Sequence, residues 1–215
     1  MLLLSTNLKS SMLSDTYFQL ARQYTNDEQK IAECWSEIEK AHSSSGRYYH
    51  NLSHLENLIT QLSFCKEEIA DWNTLLFSVF YHDIVYSVTQ KDNEEQSAQL
   101  AEKHLSALQV PTLQIKKCTV QIIATKSHQF SDDPDTNLFT DADLSILGME
   151  WPLYEAYYKQ VRQEYAIYPD PVYKPGRTNV LKHFLQMEQI FKTTPFYNKY
   201  EQSARENLTH ELSAL

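Results

Sequence analysis

Glycine is almost missing from this chain, at 3 of 215 residues, and proline numbers only 7. Sheets of many short strands need tight turns, and tight turns draw on these two residues. Their scarcity argues against a β fold and for a helical one. No segment alternates apolar and polar residues with β-branched side chains, which removes the usual strand signal. Cysteine is scarce too. Cys34, Cys65 and Cys118 are odd in number and form no CxxC, which argues against paired extracellular bridges and suits a reducing cytoplasm. Long apolar runs are lacking. The start Met1-Leu2-Leu3-Leu4 is broken at once by Ser5, Thr6, Asn7 and Lys9. That is too short for a signal-peptide core, and no stretch approaches the roughly 20 apolar residues of a membrane span. Positive charge is also in deficit. A net charge of −9 and a pI near 5.3 work against a nucleic-acid polymer as partner, because such binders carry a basic face. A nucleotide substrate stays compatible, since a bound metal can invert the charge of a local site.

What is present is a chain 42% apolar, enough for a core. At this length the expectation is one compact all-α domain over residues 1–215. Ile31, Cys34, Trp35, Ile38 and Ala41 share one face of a helix near 27–42. Leu55, Leu58, Ile59 and Leu62 stripe a second, for which Ser53 and Glu56 form a candidate capping box. Asp71 caps a third, apolar nearly all round, which ends at His82-Asp83. Asp92 with Glu95 caps a fourth, to about Ala107. Pro111-Thr112 opens a fifth, with Ile115, Cys118, Ile122 and Ile123 inward. Residues 131–135 read as a loop and Asp141–Leu147 as a short helix stopped by Gly148. Pro152 opens a long helix to about Tyr168. Pro169, Pro171, Pro175 and Gly176 read as a loop, followed by two helices covering roughly 178–191 and 195–213.

Three local patterns carry chemistry. His82-Asp83 ends the very apolar run Leu75–Tyr81. Ionisable groups there are costly unless paired or bound to a cation, so the pair is either a hydrogen-bonded His–Asp couple or half of a metal site. His50 and His54, four apart, can share a helix face. In Asp141-Ala142-Asp143, side chains two apart on a helix point to nearly opposite sides. One aspartate is therefore free to face a site while the other, Asp141, can cap.

Taken together, His54, His82-Asp83 and Asp143 resemble the H…HD…D signature of the HD-superfamily metal-dependent phosphohydrolases, over roughly residues 47–165. Tyr49-His50-Asn51-Leu52-Ser53-His54 is similar to the YHNxxH segment of cyclic-nucleotide phosphodiesterases, which share that site architecture. Ala142-Asp143-Leu144-Ser145 is similar to their ADLS segment. The chain as a whole looks most like a bacterial group known only as HD phosphohydrolases. That likeness is carried by Asp92-Asn93-Glu94, Thr125-Lys126-Ser127-His128, Asp141–Gly148, Arg162-Gln163-Glu164-Tyr165 and Gly176-Arg177.

The resemblance implies an HD-type helical bundle whose C-terminal helices, 178–213, pack on the motif region. It implies one divalent metal (Mn, Mg, Ni, Co, Zn or Fe) on His54, His82, Asp83 and Asp143, with Asp141 the alternative to Asp143. A second metal stays open, although Asn93 stands where a two-metal site usually has histidine. His104, expected to be a partly exposed helix residue, and His128 are the remaining candidates for it. His50 would be the general acid, with Asp83 and Glu94 handling water. Arg47, Tyr86, Lys126, His128, Arg162 and Arg177 are the substrate-binding candidates, because guanidinium forks suit phosphate oxygens. The expected activity is hydrolysis of a phosphate ester of a nucleotide or small phosphorylated metabolite. Its alternatives are an HD-type di-iron oxygenase and a non-catalytic nucleotide- or metal-binding regulator. The expected protein is cytoplasmic, takes a small phosphorylated substrate, binds neither nucleic-acid polymers nor membranes, and has a homodimer left open.

Overall fold

The structure is a computed structural model that describes the backbone from Leu2 and the side chains from Met12. The Met1–Leu4 reading falls outside the described side chains. The described residues are all-α, with ten α-helices and no strand. None of these helices is long and apolar enough to cross a membrane. The chain forms two compact units, residues 1–129 and 130–215.

The first unit holds α1 (Leu2–Ala21), α2 (Glu28–His42), α3 (Leu52–Ser63), α4 (Trp72–Tyr81), α5 (Asn93–Ala107) and α6 (Thr112–Ala124). The sequence reading has no counterpart for α1, although Leu13, Tyr17, Leu20 and Ala21 fall at helical spacing and are all buried. Helix α4 is the axis of the unit and packs against α3, α5 and α6. Asp71 caps it, accepting from the Thr74 backbone N at 3.0 Å and the Thr74 hydroxyl at 2.6 Å. Every residue from Thr74 to Tyr81 is buried, as an all-round apolar helix should be. Burying each of its large side chains, such as Phe77 and Phe80, contributes about 1.5–3 kcal/mol. The polar Ser78 is tolerated because it donates to Gln121 Oε1 at 2.6 Å.

Some boundaries and faces differ from expectation. The cap of α3 is Asn51, whose Oδ1 accepts from Ser53 N at 2.9 Å, so the helix starts before Ser53. Asp92 occupies the cap position of α5 without a side-chain bond. Ile123 is 38% exposed and lies outside the inward face of α6.

The second unit holds α7 (Pro134–Leu144), a 3₁₀ turn (Ser145–Gly148), α8 (Trp151–Glu164), α9 (Asp170–Gln186) and α10 (Thr194–Ala214). Helix α10 packs against α7, the 3₁₀ turn and α9. Two expected loops are cut short by helices, 131–135 at Pro134 and 169–176 at Asp170. Pro134 sits in the first turn of α7, capped by Asp133, which accepts from Thr136 N at 3.1 Å. Pro171 sits in the first turn of α9, which continues through Pro175. A first-turn proline costs no helical bond, because its missing N–H has no partner there anyway. Gly148 is required by packing: a Cβ there would lie 2.5 Å from Tyr200 Cβ and 2.6 Å from Tyr200 O.

Candidate metal centre

Three donor atoms of the first unit converge. His54 Nε2 lies 3.1 Å from His82 Nε2. Asp83 Oδ2 lies 3.1 Å from His82 Nε2 and 3.7 Å from His54 Nε2. The two imidazoles are buried, at 4% and 1% exposure. Each side chain is delivered by its helix. His54 is in the first turn of α3, on the face it shares with buried Leu58 and Gln61. His82 closes α4, its backbone N–H bonded to Ser78 O at 2.9 Å.

The protonation pattern can be read from partners. His82 Nδ1 lies 3.0 Å from Val79 O. A carbonyl only accepts, so Nδ1 carries a proton, and whenever His82 is neutral it turns a bare Nε2 toward the Asp83 carboxylate. Two acceptors then face each other, an arrangement that repels unless a proton or a cation lies between them. Burial raises the Asp83 pKa, but the charges of His82, His50 and His54 outweigh it and hold the carboxyl well below its usual range.

The triangle fits a metal. Zinc binds imidazole nitrogen at about 2.0–2.1 Å and carboxylate oxygen at about 2.0–2.2 Å. Ligand atoms on one such ion are then about 3.0 Å apart at right angles and about 3.4 Å apart at tetrahedral angles. The Val79 carbonyl behind His82 is the kind of outer partner that fixes a ligating ring.

Arg47 stitches together the segments that carry His54 and Asp83. Its Nη1 donates to His50 O at 3.3 Å and to Asp83 O, and its Nη2 donates to Ile84 O at 2.9 Å. These bonds explain an arginine at this position without a phosphate. Its guanidinium also lies 5.4 Å from the Tyr86 ring centroid. The His50 ring packs 4.3 Å from the Tyr86 ring and 5.8 Å from that of His54. Tyr49 packs 4.9 Å from His54. The structure thus brings His50, His54, His82, Asp83, Arg47 and Tyr86 to one place within the first unit.

Other candidates are placed elsewhere or already occupied. Glu94 is half-buried at the start of α5, 4.0 Å from Lys126 Nζ. Lys126 pairs with Glu95 and donates to Lys91 O at 2.8 Å. His128 follows α6 in the left-handed backbone region, at φ 52°. Asn93 is spent on the loop after His82-Asp83: its Oδ1 accepts from Ser87 N at 3.0 Å and its Nδ2 donates to Ser87 O at 2.9 Å. His104, expected to be partly exposed, is 5% exposed, between the Tyr81 hydroxyl at 3.3 Å and Glu37 at 3.3 Å.

In the second unit, Gly176-Arg177, read as the junction of a loop and a helix, lies inside α9. Arg177 is buried and bidentate to Glu211, at 2.7 and 2.8 Å. Arg162 holds Asp170 at 2.8 Å and the carbonyls of Tyr165 and Tyr168. Tyr154 is fully buried and donates to Glu211. Asp141 is fully buried in the middle of α7, and does not cap that helix. Its carboxylate accepts from Lys192 N at 2.9 Å, Thr193 N at 2.7 Å and the Thr193 hydroxyl at 2.7 Å, and pairs with Lys192 Nζ at 2.8 Å. Asp143, two residues on, is half-buried.

One residue escaped the sequence reading. His42 ends α2 and is 1% exposed. Its spacing from Ile31, Trp35 and Ile38 puts it on the inward face, a signal legible in the sequence.

Compared with models of known protein families, with curated proteins and with solved structures, the chain matches none.

Proposed function

We propose that this protein is a metal-dependent phosphohydrolase acting on a phosphate ester of a nucleotide or small phosphorylated metabolite. The observation that carries the reading is the triangle of His54 Nε2, His82 Nε2 and Asp83 Oδ2, whose separations of 3.1, 3.1 and 3.7 Å suit ligands of one ion. Imidazole with carboxylate suits a divalent transition metal. Asp143, carried by α7 of the second unit, is the further ligand that the HD-type signature assigns. The saturated carboxylate of Asp141 speaks against the alternative. A metal held there would polarise a phosphoryl oxygen and lower the pKa of its water.

The chain's own residues take the remaining tasks. Asp83 orients the attacking water. His50, beside His54 and packed against Tyr86, is the acid for the leaving oxygen, a task suited to imidazole near neutral pH. Tyr86 offers its ring and hydroxyl to the leaving group. Lys126 and Glu94 stand in a neighbouring ion pair, and their part in phosphate or water binding is secondary. A single ion is the better fit. Asn93 is committed to Ser87, and His104 to Tyr81 and Glu37.

The test is phosphate release from a nucleotide panel by purified protein with Mn²⁺, Mg²⁺, Co²⁺ or Ni²⁺. Activity with at least one pairing is expected, lost in His82→Ala. Full activity in that variant overturns the assignment.

A further inference from the structure

Tyr86 lies between Val85 and Ser87 in the loop that joins α4 to α5. The backbone of each neighbour is held by one side chain of α5. The Ser97 hydroxyl accepts from Val85 N at 3.1 Å and donates to Val85 O at 3.3 Å. The Asn93 amide does the same for Ser87, its Oδ1 accepting from Ser87 N at 3.0 Å and its Nδ2 donating to Ser87 O at 2.9 Å. A hydroxyl and a carboxamide can each donate and accept at once. Asn93 and Ser97 stand four apart, so they reach the loop from one face of α5. Ser97 is completely buried, where leaving such bonds unmade is costly. Earlier in the same loop, Arg47 holds the carbonyls of Asp83 and Ile84.

The backbone is thus pinned on both sides of Tyr86, which leaves its ring only the side-chain torsions to choose from. That ring lies 4.3 Å from the His50 ring, at an interplanar angle of 30°. His50 precedes α3 and belongs to no helix, so the direction of its imidazole depends on such contacts.

We infer that Asn93 and Ser97 are positioning residues: by holding Val85 and Ser87 they fix Tyr86, and Tyr86 fixes the His50 ring toward the leaving oxygen. Side chains that do chemistry need their rotamers locked by supporting hydrogen bonds and packing in this way. In the reaction, water attacks phosphorus, the ester P–O bond breaks and the His50 proton passes to the leaving oxygen. The proton released by the water restores His50. This acid step rests on the phosphohydrolase reading; the hold on Tyr86 and His50 does not.

Two measurements test the inference. The first needs neither metal nor substrate. In metal-free protein, proton nuclear magnetic resonance reads the shift that the Tyr86 ring imposes on the His50 ring protons, and Tyr86→Leu defines its size. Asn93→Ala and Ser97→Ala should each lose a large part of that shift. Asn93 is half-buried at the first residue of α5, so Asn93→Ala reports even where Ser97→Ala fails to fold. A His50 shift unchanged in Asn93→Ala overturns the inference.

The second measurement compares two leaving groups with Mn²⁺ present. One is the nucleoside monophosphate of the panel that is hydrolysed fastest, whose alkoxide needs a proton to depart. The other is 4-nitrophenyl phosphate, whose phenolate does not. A general acid supplies about 10²–10⁴-fold, so Asn93→Ala should lower kcat for the nucleotide about 10-fold or more and for 4-nitrophenyl phosphate less than about 3-fold. KM and Mn²⁺ affinity should stay at wild-type values. Equal losses on the two esters, or Mn²⁺ affinity falling alongside kcat, assign the effect to a general loosening of the site and overturn the positioning role. If wild type releases phosphate from no ester, the phosphohydrolase reading falls and takes the acid step with it, while the first measurement still decides whether Asn93 and Ser97 hold Tyr86 against His50.

Discussion

Two carboxylates, Asp83 in the first unit and Asp141 in the second, show how differently a fold can treat one functional group. Asp141 is completely buried and completely served: two backbone N–H groups, a hydroxyl and the Lys192 ammonium converge on it. Those backbone donors immediately precede α10, where a negative charge is also favoured by the helix dipole. Asp83 is 19% exposed at its side chain and faces two imidazole nitrogens, one of them a bare acceptor whenever His82 is neutral. The first arrangement is closed and needs nothing more. The second is balanced only when a proton or a cation enters it.

The comparison is sharpened most by removing His82. His82→Ala should reduce both metal binding and phosphate release to background, while losing little of the fold beyond a partly collapsed buried ring. Calorimetry with Mn²⁺ and a phosphate assay check this. Matched substitutions then test the two carboxylates directly. Asp141→Asn should destabilise by about 3–5 kcal/mol, because it strands the buried Lys192 ammonium. Asp83→Asn should change stability by less than about 1 kcal/mol in metal-free protein, since an amide can donate where two acceptors meet when His82 is neutral. Denaturant unfolding of the two variants reads the difference, and equal losses would break the contrast between a closed and an open site.

The same contrast governs what was legible in the sequence. The all-α class followed from scarce glycine and from helical spacing, both local properties. So did α4, since its cap Asp71 and its all-round apolar run leave little choice. His82-Asp83 stood out because ionisable residues at the end of an apolar run are conspicuous, whereas His54 entered through its four-residue spacing from His50 and the HD-type resemblance. The status of Asp141 was not: its partners Lys192 and Thr193 lie about 50 residues away, and no local pattern announces them. The loops assigned around Pro134 and Pro171 ran too long for a related reason. Proline reads as a breaker unless the position of the helix start is known, and Asp133 before Pro134 was the overlooked cue. Arg47 and Arg177 looked like phosphate ligands because sequence displays charge but hides its partner. Arg47 is spent on carbonyls after α4 and Arg177 on Glu211.

Arg47 supplies the next test. Arg47→Met keeps much of the side-chain bulk and deletes donors to three carbonyls, including those of Asp83 and Ile84. Bonds from charged groups are worth about 1.5–3 kcal/mol each at most, and water can replace part of the loss at this half-buried site. A destabilisation of about 2–3 kcal/mol is expected, together with weaker metal binding, because the segments bearing His54 and His82-Asp83 lose their tie. If Arg47 were only a phosphate contact, substrate KM would rise while stability and metal affinity stayed at wild-type values.

The smallest effect concerns acid. Burial, with Arg47 adding to it, lowers the His42 pKa from its ordinary 6.5 to about 3. Above pH 6.5 the residue is neutral in both folded and unfolded chains and contributes no pH dependence. Between pH 6.5 and about 3 the unfolded chain takes up a proton that the folded chain refuses. Stability therefore falls as pH falls, by up to about 1.4 kcal/mol per unit. From pH 7 to pH 5 the contribution of this residue is about 2 kcal/mol. Other titrating groups add their own slopes, so the quantity to measure is the difference between wild type and His42→Phe in urea unfolding at both pH values. The variant should lose about 2 kcal/mol less than wild type on going to pH 5. Parallel losses would mean that His42 is protonated inside the fold, which would place a charge beside Arg47 and reverse the contrast between a site that waits for a cation and one that already holds its own.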